Sequence, residues 1–310
     1  MKNVARTLVL TVVSLALWSQ PARAAGTYTQ TKYPIVLAHG LAGYDSLIGL
    51  VDYFYGIAPD LRSGGATVYL ASVPAFNSSE ARGEVLLQQV EMIAALSGAG
   101  KVNLIGHSQG GLDVRYVAAV RPDLVASVTT VGTPHKGAEL ADILRANIQD
   151  GTVTESVAAY FAENLGLVLG LLTGHRHPQN AIGALAELTT AGGVAFTSKY
   201  PAGVPTSACG TGAATGPQGM RYYSWSGTSP VTSLVDPTDA ALLLSSLLYT
   251  EAQNDGLVGR CSSHFGTVLR DNYDMNHLDE VNQVAGLRAL FTDPKAIYRE
   301  HANRLKIAGL

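Results

Sequence analysis

The sequence feature that most constrains the fold is a glycine-rich pentapeptide centred on Ser108. Gly106-His107-Ser108-Gln109-Gly110 follows an apolar run at 102–105 and precedes a stretch with helical spacing of its apolar residues. A sharp turn from a strand into a helix exposes a serine hydroxyl, and it needs small neighbours because the backbone is crowded there. The pattern therefore predicts a nucleophile elbow rather than an ordinary glycine-rich turn.

Short apolar runs at 34–38, 68–73 and 127–131 accompany the elbow strand and alternate with helical patterns, which begin at Ser79 and at 280. Runs of this kind are typical of parallel strands that are buried on both faces. The sequence thus predicts an α/β fold, with a mostly parallel central sheet and helices on both faces, including a helix over 280–291. No linker divides the chain of 310 residues, so we expect one domain over 25–310.

The N-terminus resembles an export signal. Lys2 and Arg6 precede an uncharged apolar stretch at 7–19, and Ala22-Arg23-Ala24 matches a small-x-small cleavage site. The apolar stretch is shorter than the roughly 20 residues that cross a bilayer, which disfavours an uncleaved membrane anchor. We therefore predict a signal peptide at 1–24 and a secreted mature protein with no stable membrane anchor. The net charge of −3 predicts no nucleic-acid partner.

Cys209 and Cys261 are the only cysteines. In an oxidising compartment outside the cytoplasm, two such cysteines are expected to pair, although two free buried thiols are the alternative. The chain-entropy estimate for a loop of this length is about 4 kcal/mol of stabilisation.

A second glycine motif, His39-Gly40-Leu41-Ala42-Gly43, follows the first apolar run. A tetrahedral oxyanion needs two backbone N–H donors, one from the residue after the nucleophile and one from a loop after an early strand. Gln109 and Leu41 are the residues at these two positions. We predict that their amides form the oxyanion hole.

The base and the acid are expected after the serine in chain order. His277 lies in a polar loop before the predicted helix at 280–291, which favours it over His264. Asp255 is the first candidate for the acid because it lies in the turn Asn254-Asp255-Gly256. The other candidates, which the residues alone leave open, are Asp236, Asp239, Asp271 and Asp274.

Several segments together resemble the secreted triacylglycerol lipases of Pseudomonas and Burkholderia, most of all the Pseudomonas aeruginosa type, over nearly the whole mature chain. The segments are Tyr33-Pro34-Ile35-Val36-Leu37-Ala38-His39-Gly40, the elbow with its strand, 116–124, Pro134-His135-Lys136-Gly137, Tyr223-Ser224-Trp225-Ser226-Gly227, Asp271-Asn272-Tyr273 and Met275-Asn276-His277-Leu278-Asp279-Glu280-Val281-Asn282-Gln283. The resemblance implies an α/β-hydrolase fold. It also implies a dedicated membrane-anchored foldase as a folding partner, and secretion through the periplasm.

The resemblance also assigns site residues. Ser108, Asp255 and His277 fall on the triad positions. Leu41 and Gln109 fall on the oxyanion positions, where the family often has methionine and histidine. Cys209 and Cys261 match the family disulfide. One structural Ca²⁺ is implied, with ligands from the carboxylates of Asp236 and Asp279 and the backbone carbonyls of Gln283 and Leu287; alone, these aspartates would be interpreted as loop caps or solvated charges.

The region at about 137–193 carries an amphipathic stripe formed by Val157, Phe161, Leu165, Val168 and Leu172. Such a stripe is usually a core-packed helix, but its position in a lipase predicts a helical lid. The function implied is hydrolysis of long-chain acylglycerol esters at an oil–water interface through an acyl-enzyme. The alternatives are a carboxylesterase or polyester hydrolase with the same triad and a non-catalytic lipid-binding protein, which the filled catalytic positions disfavour.

Overall fold

The computed structural model describes residues 26–47, 51–148, 177–233 and 235–310. The strands within these ranges are β1 (Ile35–Ala38), β2 (Ser46–Leu47), β3 (Val51–Asp52), β4 (Val68–Leu70), β5 (Val102–His107), β6 (Val125–Val131), β7 (Arg221–Gly227) and β8 (Thr267–Tyr273). Six of them form one sheet in the order β4-β1-β5-β6-β7-β8, in which all neighbours are parallel. Strands β2 and β3 form a small antiparallel pair.

The α-helices of the described residues are α1 (Ile57–Ser63), α2 (Ser79–Leu96), α3 (Gly110–Val120), α4 (Glu139–Asn147), α5 (Ala181–Leu188), α6 (Thr190–Lys199), α7 (Asp239–Ser246) and α8 (Pro294–Ile307). The predicted start of α2 at Ser79 is confirmed, and the side chain of Ser78 caps it by accepting a hydrogen bond from the Ala81 amide. The predicted alternation of strands and helices is confirmed.

Strand β1 shows how the sheet is covered on both faces. Ile35 and Leu37 contribute to a core cluster with α1 and α8, whereas Val36 and Ala38 contribute to a second cluster with α2 and α3. Side chains alternate between the faces of a strand, so a strand buried on both sides consists of consecutive apolar residues. This arrangement explains the apolar runs in the sequence.

Two predicted elements differ from the structure. The strand predicted at 68–73 ends at Leu70. The helix predicted at 280–291 is wrong: one 3₁₀ turn at Asp279–Val281 is followed by turns, with positive φ angles of 61° at Asn282 and 82° at Gly286. A right-handed helix cannot continue through such residues, and the segment instead folds into a loop beside His277.

The predicted bond between Cys209 and Cys261 is confirmed. The predicted lid region at 137–193 includes α4, α5 and the start of α6, but its apolar stripe from Val157 to Leu172 lies outside the described residues. The predicted signal peptide at 1–24 also lies outside them. Among the helices that are described, none is long and apolar enough to cross a membrane.

Candidate active site

Ser108 lies between the end of β5 and the start of α3, with a φ angle of 55°. Its amide donates a hydrogen bond of 2.9 Å to the carbonyl of Val131 on β6. A Cβ atom at Gly106 would lie 2.2 Å from the Gly110 carbonyl oxygen, and one at Gly110 would lie 2.4 Å from the Ala38 carbonyl oxygen. The flanking residues must therefore be glycines, as the elbow motif requires.

His277 is paired with Asp255. The Nδ1 atom of His277 lies 2.7 Å from Oδ2 of Asp255, and both side chains are buried. The second carboxylate oxygen of Asp255 accepts hydrogen bonds from the amides of Leu257 (2.8 Å) and Val258 (2.7 Å), so its orientation is fixed. An ionised carboxylate can only accept, so Nδ1 carries the proton and Nε2 of His277 is left as a base.

The competing histidine and aspartate form a different pair. Nε2 of His264 lies 2.9 Å from Oδ2 of Asp271, and its Nδ1 donates to the Gly210 carbonyl at 2.8 Å. The same carboxylate oxygen accepts from Nε of Arg260 at 2.6 Å. This cluster lies near the disulfide and joins loops, which agrees with the structural role predicted for His264. Asp274 is exposed.

A cavity of about 520 Å³ brings Ser108 and His277 together with Leu41. Most of the remaining wall is aliphatic and includes Leu140, Leu144, Leu185, Leu188, Leu257 and Val258. An apolar cavity with a few convergent polar groups is typical of a small-molecule site. Its walls suit an acyl chain.

The predicted oxyanion residues flank the serine on two sides. Gln109 follows Ser108 directly, and Leu41 is in the loop after β1. Within the described part of the chain, no carbonyl accepts a hydrogen bond from either amide. The Gln109 side chain is fixed to the Asn77 carbonyl at 2.8 Å. Both amides are thus available as donors to an oxyanion.

Arg82 stabilises the loop that carries Leu41, a role that the sequence analysis missed. Its buried guanidinium donates to the His39 carbonyl at 2.6 Å and pairs with Asp113. Burial and the Arg82 charge lower the pKa of His39 to about 3, so this histidine is neutral and is no competing base. The sequence did contain a signal for this role. Arg82 lies four residues before Leu86 and eight before Val90, so it shares their buried face of α2.

His107 stabilises the loop that carries His277. Its Nε2 donates to the His277 carbonyl at 3.0 Å, and its Nδ1 accepts from the Tyr53 hydroxyl at 2.8 Å. Burial lowers the pKa of His107 well below its ordinary value, which agrees with this neutral tautomer. Glu280 is buried beside it, with one oxygen 3.3 Å from His107 Nε2 and the other accepting from the Gly227 amide at 2.6 Å.

Burial also raises the pKa of Glu280 well above its ordinary value, and the nearby charge of Asp255 adds to the shift. The sequence analysis assigned no role to His107, Glu280 or Tyr53. Two of the three could have been found, because His107 stands inside the elbow motif and Glu280 is three residues after His277.

The predicted cation ligands lie in two neighbouring loops. Asp236 and Asp279 are buried, and each has one carboxylate oxygen without a hydrogen-bond partner among the described residues. Burial raises the pKa of Asp279 to about 7, and the charges of Asp239 and Asp236 add to it. The carbonyl oxygens of Gln283 and Leu287 accept no main-chain hydrogen bond in the described ranges. These oxygens suit a hard divalent cation.

Asp239, a competing candidate for the acid, has a supporting role instead. It accepts hydrogen bonds from the amides of Thr232 (2.7 Å) and Ser233 (2.8 Å) and from the side chain of Asn276 (2.9 Å). It therefore ties the loop before α7 to the loop that carries His277.

Comparisons with known proteins agree with this geometry. A family model described as the alpha/beta hydrolase fold matches residues 33–191. A triacylglycerol lipase of Vibrio cholerae serotype O1 is 54% identical over 98% of each chain. A triacylglycerol lipase of Burkholderia plantarii is 44% identical over 94% of this chain and 91% of its own length. The crystal structure of Staphylococcus hyicus lipase, 18% identical, matches 90% of this chain and 97% of its own with a TM-score of 0.61, which shows a shared fold.

Proposed function

The chain belongs to the bacterial triacylglycerol lipases, a family with the α/β-hydrolase fold, and from this premise we propose that it is a secreted enzyme that hydrolyses long-chain acylglycerols at an oil–water interface. It is a lipase-type ester hydrolase. One observation carries the proposal: Ser108 on its strained turn and His277, which is hydrogen-bonded to the buried Asp255, line the same apolar cavity.

The chemistry follows from which atoms are free. Nε2 of His277 takes the proton of the Ser108 hydroxyl as the oxygen attacks the ester carbonyl. Asp255 holds the ring orientation and stabilises the imidazolium that forms. The amides of Leu41 and Gln109 donate to the oxyanion of the tetrahedral intermediate. His277 then protonates the leaving alcohol, and water releases the fatty acid from the acyl-enzyme.

The aliphatic wall of the cavity supports a long acyl chain as the substrate. A carboxylesterase or polyester hydrolase would use the same catalytic residues, so the preferred substrate must distinguish these functions from that of a lipase. We expect faster hydrolysis of emulsified trioleoylglycerol than of a dissolved short-chain ester at equal ester concentration. A clear preference for the dissolved ester would favour the carboxylesterase alternative and contradict the lipase proposal.

A structural Ca²⁺ is part of the proposal. The unpartnered oxygens of Asp236 and Asp279 support it, with the carbonyls of Gln283 and Leu287 as further ligands. Asp279 is two residues after His277. Such a cation would supply charge neutralisation for two buried carboxylates and restrain the loop of the base, without entering the reaction.

Three further parts of the proposal rest on the sequence. We propose that residues 1–24 are a signal peptide, that 25–310 form a single domain, and that the region at about 137–193 is a lid over the site. Leu140, Leu144, Leu185 and Leu188, at the two described ends of this region, line the cavity, which supports a covering role for it. The family resemblance supports a foldase partner and passage through the periplasm.

A further inference from the structure

A second cavity, of about 550 Å³, lies away from the serine. It is bounded by the last turns of α3, by the loop that follows α6, and by side chains from β7 and from the turn before β8. None of Ser108, His277 and Asp255 lines it. Nothing in the proposed mechanism uses this cavity.

Arg115 lines this cavity although it is only 3% exposed. Its terminal nitrogens contact Nδ1 of His135 at 3.0 Å, the carbonyl of Tyr200 at 2.5 Å and the hydroxyl of Thr197 at 3.4 Å. Its Nε atom has no hydrogen-bond partner in the described part of the chain. The side chain is therefore held in place by these contacts, and its Nε is a buried donor without a partner among the described residues.

Within the described ranges, no counter-charge accompanies the guanidinium of Arg115. None of the ion pairs among the described residues includes Arg115, and burial lowers the pKa of His135 well below its ordinary value, so that contact is with a neutral ring. Burial lowers the pKa of Arg115 to about 9, which leaves the guanidinium charged at neutral pH. A buried charge without a partner is strongly unfavourable.

Aromatic rings compensate only in part. The guanidinium carbon lies 5.1 Å from the ring centre of Phe196 and 5.8 Å from that of Phe265. Ring faces attract a cation, but they provide no acceptor in the plane of the guanidinium for its Nε. An anion in the cavity would supply the missing counter-charge.

The rest of the cavity wall suits an apolar body attached to that anion. Among the described residues, neither Asp nor Glu lines it. Its apolar surface comes mainly from small aliphatic and aromatic side chains, among them Ala118, Ala119, Pro201, Val204, Tyr222 and Phe265. The other lining cation, Lys199, already pairs with Glu80 at 2.7 Å.

We propose that this cavity is a binding site for a carboxylate with an apolar chain, in which the guanidinium of Arg115 pairs with the carboxylate and the chain lies along the apolar wall. A carboxylate matches the planar donor geometry of arginine. A fatty acid released by the proposed hydrolysis has this chemistry, and so does any other aliphatic monocarboxylate. The site itself does not depend on the triad.

The test uses the full chain after a serine-reactive alkyl phosphonate has filled the serine cavity, so that octanoate cannot bind beside Ser108. Octanoate, octanol and inorganic phosphate are titrated separately and binding is measured by calorimetry. We expect one octanoate site, with octanol at least tenfold weaker and phosphate weaker still. Equal binding of octanol and octanoate, or no octanoate binding, would overturn the proposal.

Two variants locate the site. Arg115→Gln should weaken octanoate binding at least tenfold. Because that variant removes a buried group and could fail to fold, Ala119→Trp provides an independent block: Ala119 is exposed on the last turn of α3, where an indole would fill the mouth of the cavity. Leu96→Trp, at an exposed position on α2, is the matched control.

We expect Ala119→Trp to lose octanoate binding while melting temperature and ester hydrolysis stay unchanged, and Leu96→Trp to bind as the parent does. Unchanged octanoate binding in Ala119→Trp would contradict the proposal and leave Arg115 as a purely structural cation. Hydrolysis of emulsified trioleoylglycerol by the unblocked protein is measured in parallel, so a failure of this site is distinguished from a failure of the lipase proposal.

Discussion

Asp255 and His277 are joined twice, once through their side chains and once through the main chain. The carboxylate accepts from Nδ1 of His277 at 2.7 Å, and the carbonyl of Asp255 accepts from the His277 amide at 3.0 Å. The main-chain bond fixes the two loops relative to each other even when the carboxylate is changed. The role of the carboxylate can therefore be tested without moving the histidine.

Asp255→Asn should lower kcat by about two to four orders of magnitude, in line with the loss of a triad acid in other serine hydrolases. The asparagine oxygen would keep the bonds from the Leu257 and Val258 amides, so its NH₂ would face His277. Nδ1 would then have to accept, Nε2 would carry the proton, and the base would be lost. The measurement is kcat on a triglyceride emulsion, with a melting curve to show that folding is intact.

The matched control is Asp271→Asn, which removes the carboxylate from the other histidine–aspartate pair, that of His264. This variant should retain activity within a few-fold and lose some stability, because Asp271 joins Arg260 to His264. If the control loses activity as severely as Asp255→Asn, with its fold intact, the assignment of the acid is wrong.

Gly111→Ala should destabilise the protein by about 1–3 kcal/mol, as overpacking of a filled core does. The new Cβ would lie 1.9 Å from Oγ1 of Thr133, so α3 or the loop after β6 would have to move. Gly26→Ala is the comparison, since its Cβ would meet the nearest atom at an ordinary 3.5 Å. Denaturant unfolding measures both; equal stability of the two variants would contradict the close packing described.

Calcium removal should lower the melting temperature and the activity together, because the proposed cation restrains the loop that presents His277. A ligand of the folded state stabilises it by about 2.7 kcal/mol at a hundredfold excess over Kd. Asp236→Ala should abolish the response to added calcium, whereas Asp274→Ala, at an exposed position, should keep it. A melting temperature that is insensitive to prolonged chelation in the parent protein would remove the cation from the account.

Some elements of the structure could be predicted from the sequence and others could not, for physical reasons. Ser108, Asp255 and His277 stand in turn motifs whose chemistry is local, and Cys209 and Cys261 had no other partners, so patterns and resemblance pointed to them. The helix predicted at 280–291 was wrong because the spacing of apolar residues carries no information on backbone angles. Positive φ angles at Asn282 and Gly286 prevent a right-handed helix there.

Burial through tertiary contacts is the second reason why the sequence-based predictions were incomplete. Arg82 and Arg115 look like surface cations in the sequence, yet both are buried, and what each contacts comes from distant parts of the chain. The sequence could mark Arg82 by its place in an apolar helical spacing. Nothing in the sequence indicated that Arg115 lacks a counter-charge among the described residues, because the groups around Arg115 depend on which loops meet at its side chain.

Dependence on a foldase is testable by refolding. From the resemblance to foldase-dependent lipases, we expect the mature chain 25–310, diluted alone from denaturant, to recover only a small fraction of its activity. Addition of the foldase of a related lipase should raise the yield severalfold. Full recovery by dilution alone, at the specific activity of the exported protein, would argue against this partner.

The most direct test of the central claim is the reaction of Ser108 itself. An alkyl phosphonate should add to the parent protein once, on the peptide that contains Ser108, with loss of activity in proportion to labelling. Ser108→Ala should fold normally, take up no phosphonate and retain only the residual rate of the oxyanion hole and substrate binding, several orders of magnitude below the parent. Stoichiometric labelling of another residue, or substantial hydrolysis of emulsified trioleoylglycerol by Ser108→Ala, would contradict the assignment of the nucleophile.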